Sequence, residues 1–274
     1  MKSIIDVTIL CVSFNSFISD SVTIKTFFKA EEDVDFKNSK MRVVVWDNST
    51  ESKYIEGNKL FALENNFTIF GDGTNHSLGR VYNTFLNDID ADFLCLFDDD
   101  SNITRDYLIE VDSVILDFDI SVAIPRIFSQ QGSMYSPAKL GIVRGVHLDE
   151  VNTGFNCGLT AITSGTLLNV KNIKSSHVFF DESLSFYGVD TLFFLALKAK
   201  KIPVYVLDVK MNHNLSFFNE EPYEVKKFRA KNLKSANIYI AKKRGLFFYL
   251  LSVLYLNLFE LKAMMLRLFR MLTF

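Results

Sequence analysis

The sequence predicts an α/β protein with a mixed, mostly parallel central sheet flanked by helices, and three observations carry that prediction. Short apolar runs alternate with amphipathic stretches through the first 125 residues, the pattern of strands joined by crossover helices. One of these runs, Phe93 to Phe97, ends in three consecutive carboxylates, Asp98, Asp99 and Asp100. The composition supplies the core: of 274 residues, 49% are hydrophobic and 27 are Phe, which excludes disorder as the main state.

Taken in order, Val7 to Phe14 reads as a strand closed by Asn15-Ser16, followed by a helical stretch to about Phe28 and an acidic loop from Glu31 to Asp35. Met41 to Trp46 is the second strand and stops at Asp47-Asn48-Ser49-Thr50, and Phe67 to Phe70 is a short third. His76 to Asn87 has helical spacing, with Val81, Phe85 and Leu86 on one face. The acidic strand follows, then a helix near Thr104 to Leu116 and a strand at Ser121 to Pro125. Gly132 to Gly145 suits a hairpin or a long loop, and Phe155 to Thr163 a strand. Ser164-Gly165 marks a turn before a short helix, Thr166 to Val170. Gly188 to Lys200 is helical, Pro203 to Asp208 a strand, and the chain is helical from Glu220 to its end.

A buried strand that ends in acids delivers charge to the carboxyl edge of a sheet, where open α/β folds bind ligands. Adjacent carboxylates repel one another and resist desolvation, so a divalent cation is their natural partner, and oxygen-only ligands favour Mg²⁺ or Mn²⁺. The alternative is a solvated acidic turn capping the next helix, for which Ser101, Asn102 and Thr104 are suited. Asn15 and Asp47 end two other strands and could face the same crevice. A carboxylate there can accept the imide N–H of uracil or thymine, while backbone groups near Asn15 take base oxygens. Asp47-Asn48-Ser49 is also a good turn sequence in its own right.

The runs VTILCVSFN, VVVWDNST, NHSLGRVYN and FLCLFDDDS resemble the nucleotide-sugar half of the family 2 inverting glycosyltransferases with the GT-A fold. Asn75 to Asn83 and the triple-Asp strand are most similar to the rhamnosyltransferase-like branch, and the likeness runs weakly on to about residue 216. It implies a catalytic domain over 1–216, with a nucleotide-binding half to about 125 and an acceptor half from 126. A C-terminal helical region, 217–274, would follow. The resemblance also assigns roles. Asp47 would hold the base, and Asn75, Gly79 and Arg80 would lie beside the nucleotide, with Arg80 able to meet phosphate. Asp98 would sit near the ribose or the metal, Asp100 would ligate the metal, and Asp99 would turn away or support the site. His213 would approach the metal or diphosphate. Ser164-Gly165 resembles the turn lining the acceptor or donor-sugar pocket, and Tyr187 with Phe186 could stack on a sugar face.

Transfer from a sugar nucleotide passes through an oxocarbenium-like transition state while charge grows on the diphosphate. A cation held by Asp100 would neutralise that charge. The resemblance places the catalytic base at Asp190, where a helix N-terminus is expected to keep the carboxylate ionised; Asp181 and Glu182 are the rivals. Thr191, Leu192 and Phe193 follow Asp190, where relatives carry a further acid and Trp.

A net charge of −2 gives no reason to expect nucleic acid as a partner. The three cysteines, Cys11, Cys95 and Cys157, are odd in number, and two lie in strand-like runs, as in a reducing compartment. The N-terminus lacks the apolar stretch of a signal peptide, so a cytoplasmic protein is expected. Lys242-Lys243-Arg244 precede the 14-residue apolar run Leu246 to Phe259, short of the roughly 20 residues that cross a bilayer. On a helical wheel Ser252, Asn257, Glu260, Arg267 and Arg270 share one side, which leaves a wide apolar arc broken by Lys262. Such a helix reads as an interfacial contact with the inner leaflet, or else as packing on the catalytic domain or a homodimer seam.

The expected function is therefore transfer of a sugar from dTDP-rhamnose or a UDP-sugar to a lipid-linked or growing surface glycan. The competing expectation is a nucleotide- or glycan-binding subunit that has lost turnover. A phosphatase fits poorly because Asn102 stands where its motif needs Thr, and Asn15-Ser16-Phe17 lacks the glycine-rich basic loop of a nucleotidyltransferase.

Overall fold

The computed structural model describes residues 4–272 except 118, 130, 131, 143, 144 and 213–221. Strand β1 (Ile5–Ser13) leads through a 3₁₀ turn (Ile18–Asp20) into helix α1 (Val22–Glu31). Then follow β2 (Ser39–Asp47), α2 (Ser52–Glu64), β3 (Thr68–Phe70), α3 (Leu78–Asp88), β4 (Phe93–Asp98) and α4 (Arg105–Val114). The middle of the chain is strand-rich: β5 (Val122–Phe128), β6 (Met134–Ser136), β7 (Ala138–Leu140), β8 (Gly145–His147), β9 (Gly154–Asn156), β10 (Leu159–Thr160) and β11 (Thr166–Asn169). Helices α5 (Val170–Ser176) and α6 (Val189–Ala199), strand β12 (Val204–Asn212), and helices α7 (Tyr223–Arg244) and α8 (Leu246–Leu272) complete it.

The main sheet has the order β3-β2-β1-β4-β11-β5-β12-β9, with β6 paired to β5. Strands β1, β2, β3 and β4 run parallel, and so do β5 and β12; β11 is antiparallel to both β4 and β5 and so aligns the two groups. The sheet is thus mixed but mostly parallel. Alternate residues of β1 and β4, such as Cys11 and Phe97, share one buried layer with Phe27 of α1 and Tyr107 and Val111 of α4. Across the sheet, Tyr82 of α3 packs edge-on against Phe180, which stacks on Phe193 of α6 at 4.1 Å. Burial holds the Cys95 thiol up at about 12, so it behaves as a small core residue.

Register levels the strand ends. Ser13 of β1 pairs with Asp47 of β2, and Val12 pairs with Asp98 of β4, so both acids reach the carboxyl edge of the sheet on either side of β1.

Three stretches differ from the sequence expectation. Residues 166–170, expected as a short helix, form strand β11, because Thr166 to Asn169 are all buried between β4 and β5 and helix begins only at Val170. The single strand expected over Phe155 to Thr163 is broken at Gly158 (φ 72°), which puts β9 and β10 in different sheets. Helix α2 carries no clear amphipathic signature; only Asn58 and Ala62 of it are buried. The chain divides into two compact units, one of residues 1–139 and 147–218, the other of 140–146 and 219–274. In the second, α7 and α8 pack on each other and break at Gly245 (φ 119°). There the Arg244 guanidinium lies 3.9 Å over Phe248 and donates to the carbonyls of Gly141 and Ile142. Ser252, expected on a solvated polar face of α8, is buried.

Asp112 on α4 fixes the start of β2. Its buried carboxylate accepts from the backbone N–H groups of Lys37, Asn38 and Ser39, from Asn38 Nδ2 and from the Ser39 hydroxyl (2.6 Å). Asp112→Ala leaves several buried donors without an acceptor and should destabilise the protein by about 3 kcal/mol in chemical denaturation.

Candidate functional site

The acidic triplet leaves β4 and is immediately docked on the N-terminus of α1. Thr23 N–H and the Ser21 hydroxyl both donate to the Asp99 carbonyl (3.2 and 2.9 Å), and Ser101 N–H donates to the Thr23 hydroxyl (3.0 Å). That hydroxyl also lies on the carbonyls of Asp98 and Ser101. Asp98 and Asp99 therefore turn to different partners. Asp99 turns its carboxylate back to the Ser16 hydroxyl (2.7 Å), Asp98 faces Ser164, and Asp100 is exposed.

Ser164 and Gly165 form the other wall. Gly165 is left-handed (φ 79°), and a Cβ there would come within 2.7 Å of Pro125 Cγ, so no other residue fits without displacement. Its N–H donates to the Leu96 carbonyl (2.7 Å), and its own carbonyl accepts from the buried Tyr107 hydroxyl (3.0 Å). The turn so pinned places the Ser164 hydroxyl 2.6 Å from the Ser101 hydroxyl and 3.3 Å from Asp98 Oδ2.

Burial, then the charges of Asp100 and Asp99, push the Asp98 carboxyl up from 3.8 to about 7, against the pull of Ser164. Asp190 adds to that push, and Asp98 and Asp190 both raise the Tyr82 hydroxyl after its burial. Among the described residues no three His, Cys, Asp or Glu side chains are grouped closely enough to hold an ion unaided. Asp98 and Asp100 still suit a hard cation. Their donors are all oxygens, their mutual repulsion is relieved by positive charge, and Mg²⁺-type ions commonly take one or two carboxylates and complete their shell with phosphate and water.

On the far side of β1, Asp47 borders a recess of about 230 Å³ lined also by Ile55, Lys59, Phe70 and Gly71. Gly71 (φ 149°) is pressed so close to the Asp47 carbonyl that a side chain would clash. Asp47 is buried; Oδ1 accepts from Ser49 N–H (3.0 Å) and Oδ2 from Asn58 Nδ2 (2.9 Å). The wall above it is held by Asn48, whose amide spans Asn75 Oδ1, the His76 carbonyl and His76 N–H, all within 2.9 Å. Asn15, left-handed at φ 46°, clamps the β1 and β2 ends. Its N–H donates to Ser49 Oγ, and its Oδ1 accepts from Thr50 N–H and, at 3.4 Å, Glu51 N–H.

Gly79 occupies the first turn of α3 against the backbone of Asp181, where a Cβ would stand 2.5 Å from the Asp181 carbonyl. Asn83 strengthens that contact by bonding both backbone groups of Phe180 and the Glu182 carboxylate. Arg80 is exposed on α3, and Tyr187 is half-buried edge-on to Phe186. Asp190 lies in the first turn of α6 after left-handed Gly188 and accepts from Thr191 N–H (2.6 Å). The expected electrostatics reverse here: burial raises the Asp190 carboxyl and outweighs the Thr191 hydrogen bonds at the helix start. His213 lies outside the described residues.

No family model matches the sequence, and no curated protein does. Solved structures do. S. aureus TarS superposes with a TM-score of 0.55 at 15% identity over 87% of this chain and 39% of its own. TarS 1-349 in complex with UDP-GlcNAc reaches 0.59 at 16% identity, over 86% of this chain and 65% of its own. GalNAc-T7 with UDP, GalNAc and Mn²⁺ gives 0.58 at 11% identity, over 78% and 44%. The fold is GT-A. This chain spans less than two thirds of the length of each of these three neighbours, and at such identities the GT-A likeness is one of architecture.

Asn58, Ser16 and Asn48 were not legible as site residues. Asn58 sits in the helix with no periodic signal, and the other two read as ordinary turn residues.

Because the folded Asp98 carboxyl titrates above its unfolded value, the protonated form is favoured by folding. The contribution of Asp98 to metal-free stability is greatest below about pH 4 and is lost as pH rises through about 7. Asp98→Asn should therefore stabilise the metal-free protein at pH 8 by an amount on the order of 2 kcal/mol and so raise its melting temperature, with the gain vanishing near pH 4. Thermal melts in chelator across that range measure it.

Proposed function

We propose that the protein is a metal-dependent inverting glycosyltransferase that uses a uridine or thymidine diphosphate sugar. The observation carrying this reading is the common level of Asp47 and Asp98 at the carboxyl edge of the sheet on either side of β1, with Asp190 adding to the charge that raises Asp98. A base acceptor, a place for diphosphate charge and a carboxylate base are what the reaction needs. The architecture shared with TarS, solved with UDP-GlcNAc, and with GalNAc-T7, solved with UDP and Mn²⁺, supports it. The rhamnosyl alternative for the donor rests on sequence resemblance.

In this reading Asp47 accepts the imide N–H of the base, with Phe70 and Ile55 giving the recess its apolar walls. Asp98 and Asp100 would hold Mg²⁺ or Mn²⁺, which when bound neutralises charge growing on the diphosphate leaving group. Ser164 orients Asp98 toward that position. Asp190 takes the proton of the acceptor hydroxyl as the hydroxyl oxygen displaces the diphosphate from the opposite face of the sugar, inverting the anomeric carbon. A carboxyl raised by burial is a stronger base than an ordinary one, closer to the pKa that proton abstraction near neutral pH requires. Tyr187 and Phe186 offer aromatic faces near the start of α6 for a sugar ring.

The acceptor is proposed to be a lipid-linked or growing surface glycan, at the inner face of the cytoplasmic membrane. Support comes from the C-terminal unit. Leu246, Phe247, Leu250, Leu254 and Leu258 of α8 are each more than half exposed and form one stripe at helical spacing. Helix α7 carries eight lysines and arginines against one glutamate. Among the described residues no helix is long and apolar enough to cross a membrane. An apolar stripe beside such charge suits an anionic lipid surface.

The test of function is a thermal-shift and turnover screen of UDP- and dTDP-sugars with and without Mn²⁺. One donor should stabilise the protein in a cation-dependent way; nucleotide binding with no sugar released to any glycan acceptor would favour the binding-subunit alternative. With that donor, Asp190→Asn should lower kcat by about 10³-fold and leave nucleotide affinity nearly unchanged. The wild-type acid limb of the pH–rate profile should lie above the ordinary carboxylate range, since the base is lost once protonated.

For the membrane, flotation with phosphatidylglycerol vesicles should recover the full chain, and vesicles of phosphatidylcholine alone should recover far less. Removing residues 246–274 should abolish the difference; unchanged partition after the removal would end the membrane reading.

A further inference from the structure

We infer that Asn58 is the positioning residue of the nucleobase site, an inference that rests on the reading of Asp47 as the base acceptor. Asn58 is 1% exposed and uses its whole amide. Its Nδ2 donates to Asp47 Oδ2 (2.9 Å) and to the Ser16 carbonyl (3.0 Å), and its Oδ1 accepts from Ile18 N–H (2.9 Å). A helix outside the parallel core thus holds both the carboxylate that meets the base and the β1–α1 loop.

The geometry explains why an amide is needed. Asp47 ends β2 with one oxygen committed to Ser49 N–H; without Asn58 the other would swing free in a buried position. A carboxylate has about four acceptor sites, so the two bonds lock the plane of the group while leaving lone pairs for an incoming N–H. The position facing Asp47 must donate, because a second carboxylate there would repel it. The same position must also accept from Ile18 N–H, so an ammonium would leave that donor orphaned. Asn supplies the two donors and the acceptor that these bonds use, where a serine hydroxyl has a single donor.

The chain of bonds continues beyond the base site. The Ser16 hydroxyl, 2.8 Å from Ser13 Oγ, donates to Asp99, which keeps the middle acid turned away from its two neighbours. Asn58 and Asp99 therefore grip the same loop from opposite sides. Only the Asn58 end touches the base acceptor, so its loss is expected to fall on base affinity and not on the cation.

The experiment uses the full chain and three probes: UMP and dTMP, which report the base without a diphosphate to chelate metal, and Mn²⁺ alone. In calorimetry or ligand-observed NMR, Asn58→Asp should weaken the better of the two nucleotides by tenfold or more. Mn²⁺ affinity, read by paramagnetic resonance, should stay within twofold. Asn58→Ser, which removes the clamp without adding charge, should give a smaller loss of the same kind and serves if the first variant does not fold. Parallel losses of nucleotide and Mn²⁺ affinity would mark Asn58 as merely structural and overturn the inference. So would unchanged nucleotide binding in both variants where Asp47→Asn weakens it, and in that case the reading of Asp47 survives. If neither nucleotide binds the wild type, or if Asp47→Asn leaves their affinity intact, the base-site reading falls and this inference with it.

Discussion

Everything at this sheet edge follows from one electrostatic conflict, a strand buried along its length that ends in three carboxylates. Phe93 to Phe97 are inaccessible to water, so Asp98 emerges where charge is poorly solvated, and two further acids follow within two residues. Among the described residues no lysine or arginine forms an ion pair with Asp98. The fold supplies dipoles: Ser164 to the Asp98 carboxylate, Ser16 to that of Asp99, and Ser21 and Thr23 to the backbone between them. Hydroxyls orient a carboxylate without neutralising it. The conflict is left standing, and a cation against a pyrophosphate is one chemistry that resolves it.

Holding such a site open requires rigid walls, and the structure builds them from close backbone approaches. Gly165 lies against Pro125, Gly71 against Asp47 and Gly79 against Asp181, each where a Cβ would collide. Gly165 thereby joins the turn before β11 to β5, and Gly79 joins α3 to the segment before α6. The antiparallel strand β11 is the most consequential. By entering between β4 and β5 it brings Ser164 back over the end of β4, a placement that no uninterrupted parallel succession of strands would give.

How much of this was legible in the sequence depended on whether a feature was periodic. The strands β1, β2 and β4 and helices α3, α4 and α6 announce themselves through apolar runs or helical spacing, and their polar ends follow at once. Asp47 and Asp98 were legible for that reason, although their common level at the edge is a matter of register that spacing alone does not encode. Strand β11 was misread as helix because Thr166-Leu167-Leu168 is too short for period to decide; burial on both sides decides it. Helix α2 was missed because most of it faces solvent and its one buried polar side chain, Asn58, is there for hydrogen bonds. The role of Asp190 rests on likeness, and a helix start read from sequence carries no sign of the burial that overrides it.

The two carboxylates raised by burial, Asp98 and Asp190, stand in different relations to the chain. Asp98 is held from β11 and repelled by its own neighbours in sequence, so its state is set by the triplet and by whatever neutralises it. Asp190 sits on another helix, bonded mainly to Thr191, and no cation bound at the triplet would stand between it and an acceptor hydroxyl by necessity of sequence. Asp190 adds to the charge that raises Asp98, whereas burial is what raises Asp190, so positive charge at the triplet would answer the repulsion on Asp98 and leave the burial of Asp190 as it is. In the proposed reaction Asp190 would therefore owe its strength as a base to its own surroundings, while Asp98 depends on charge brought in from outside the chain.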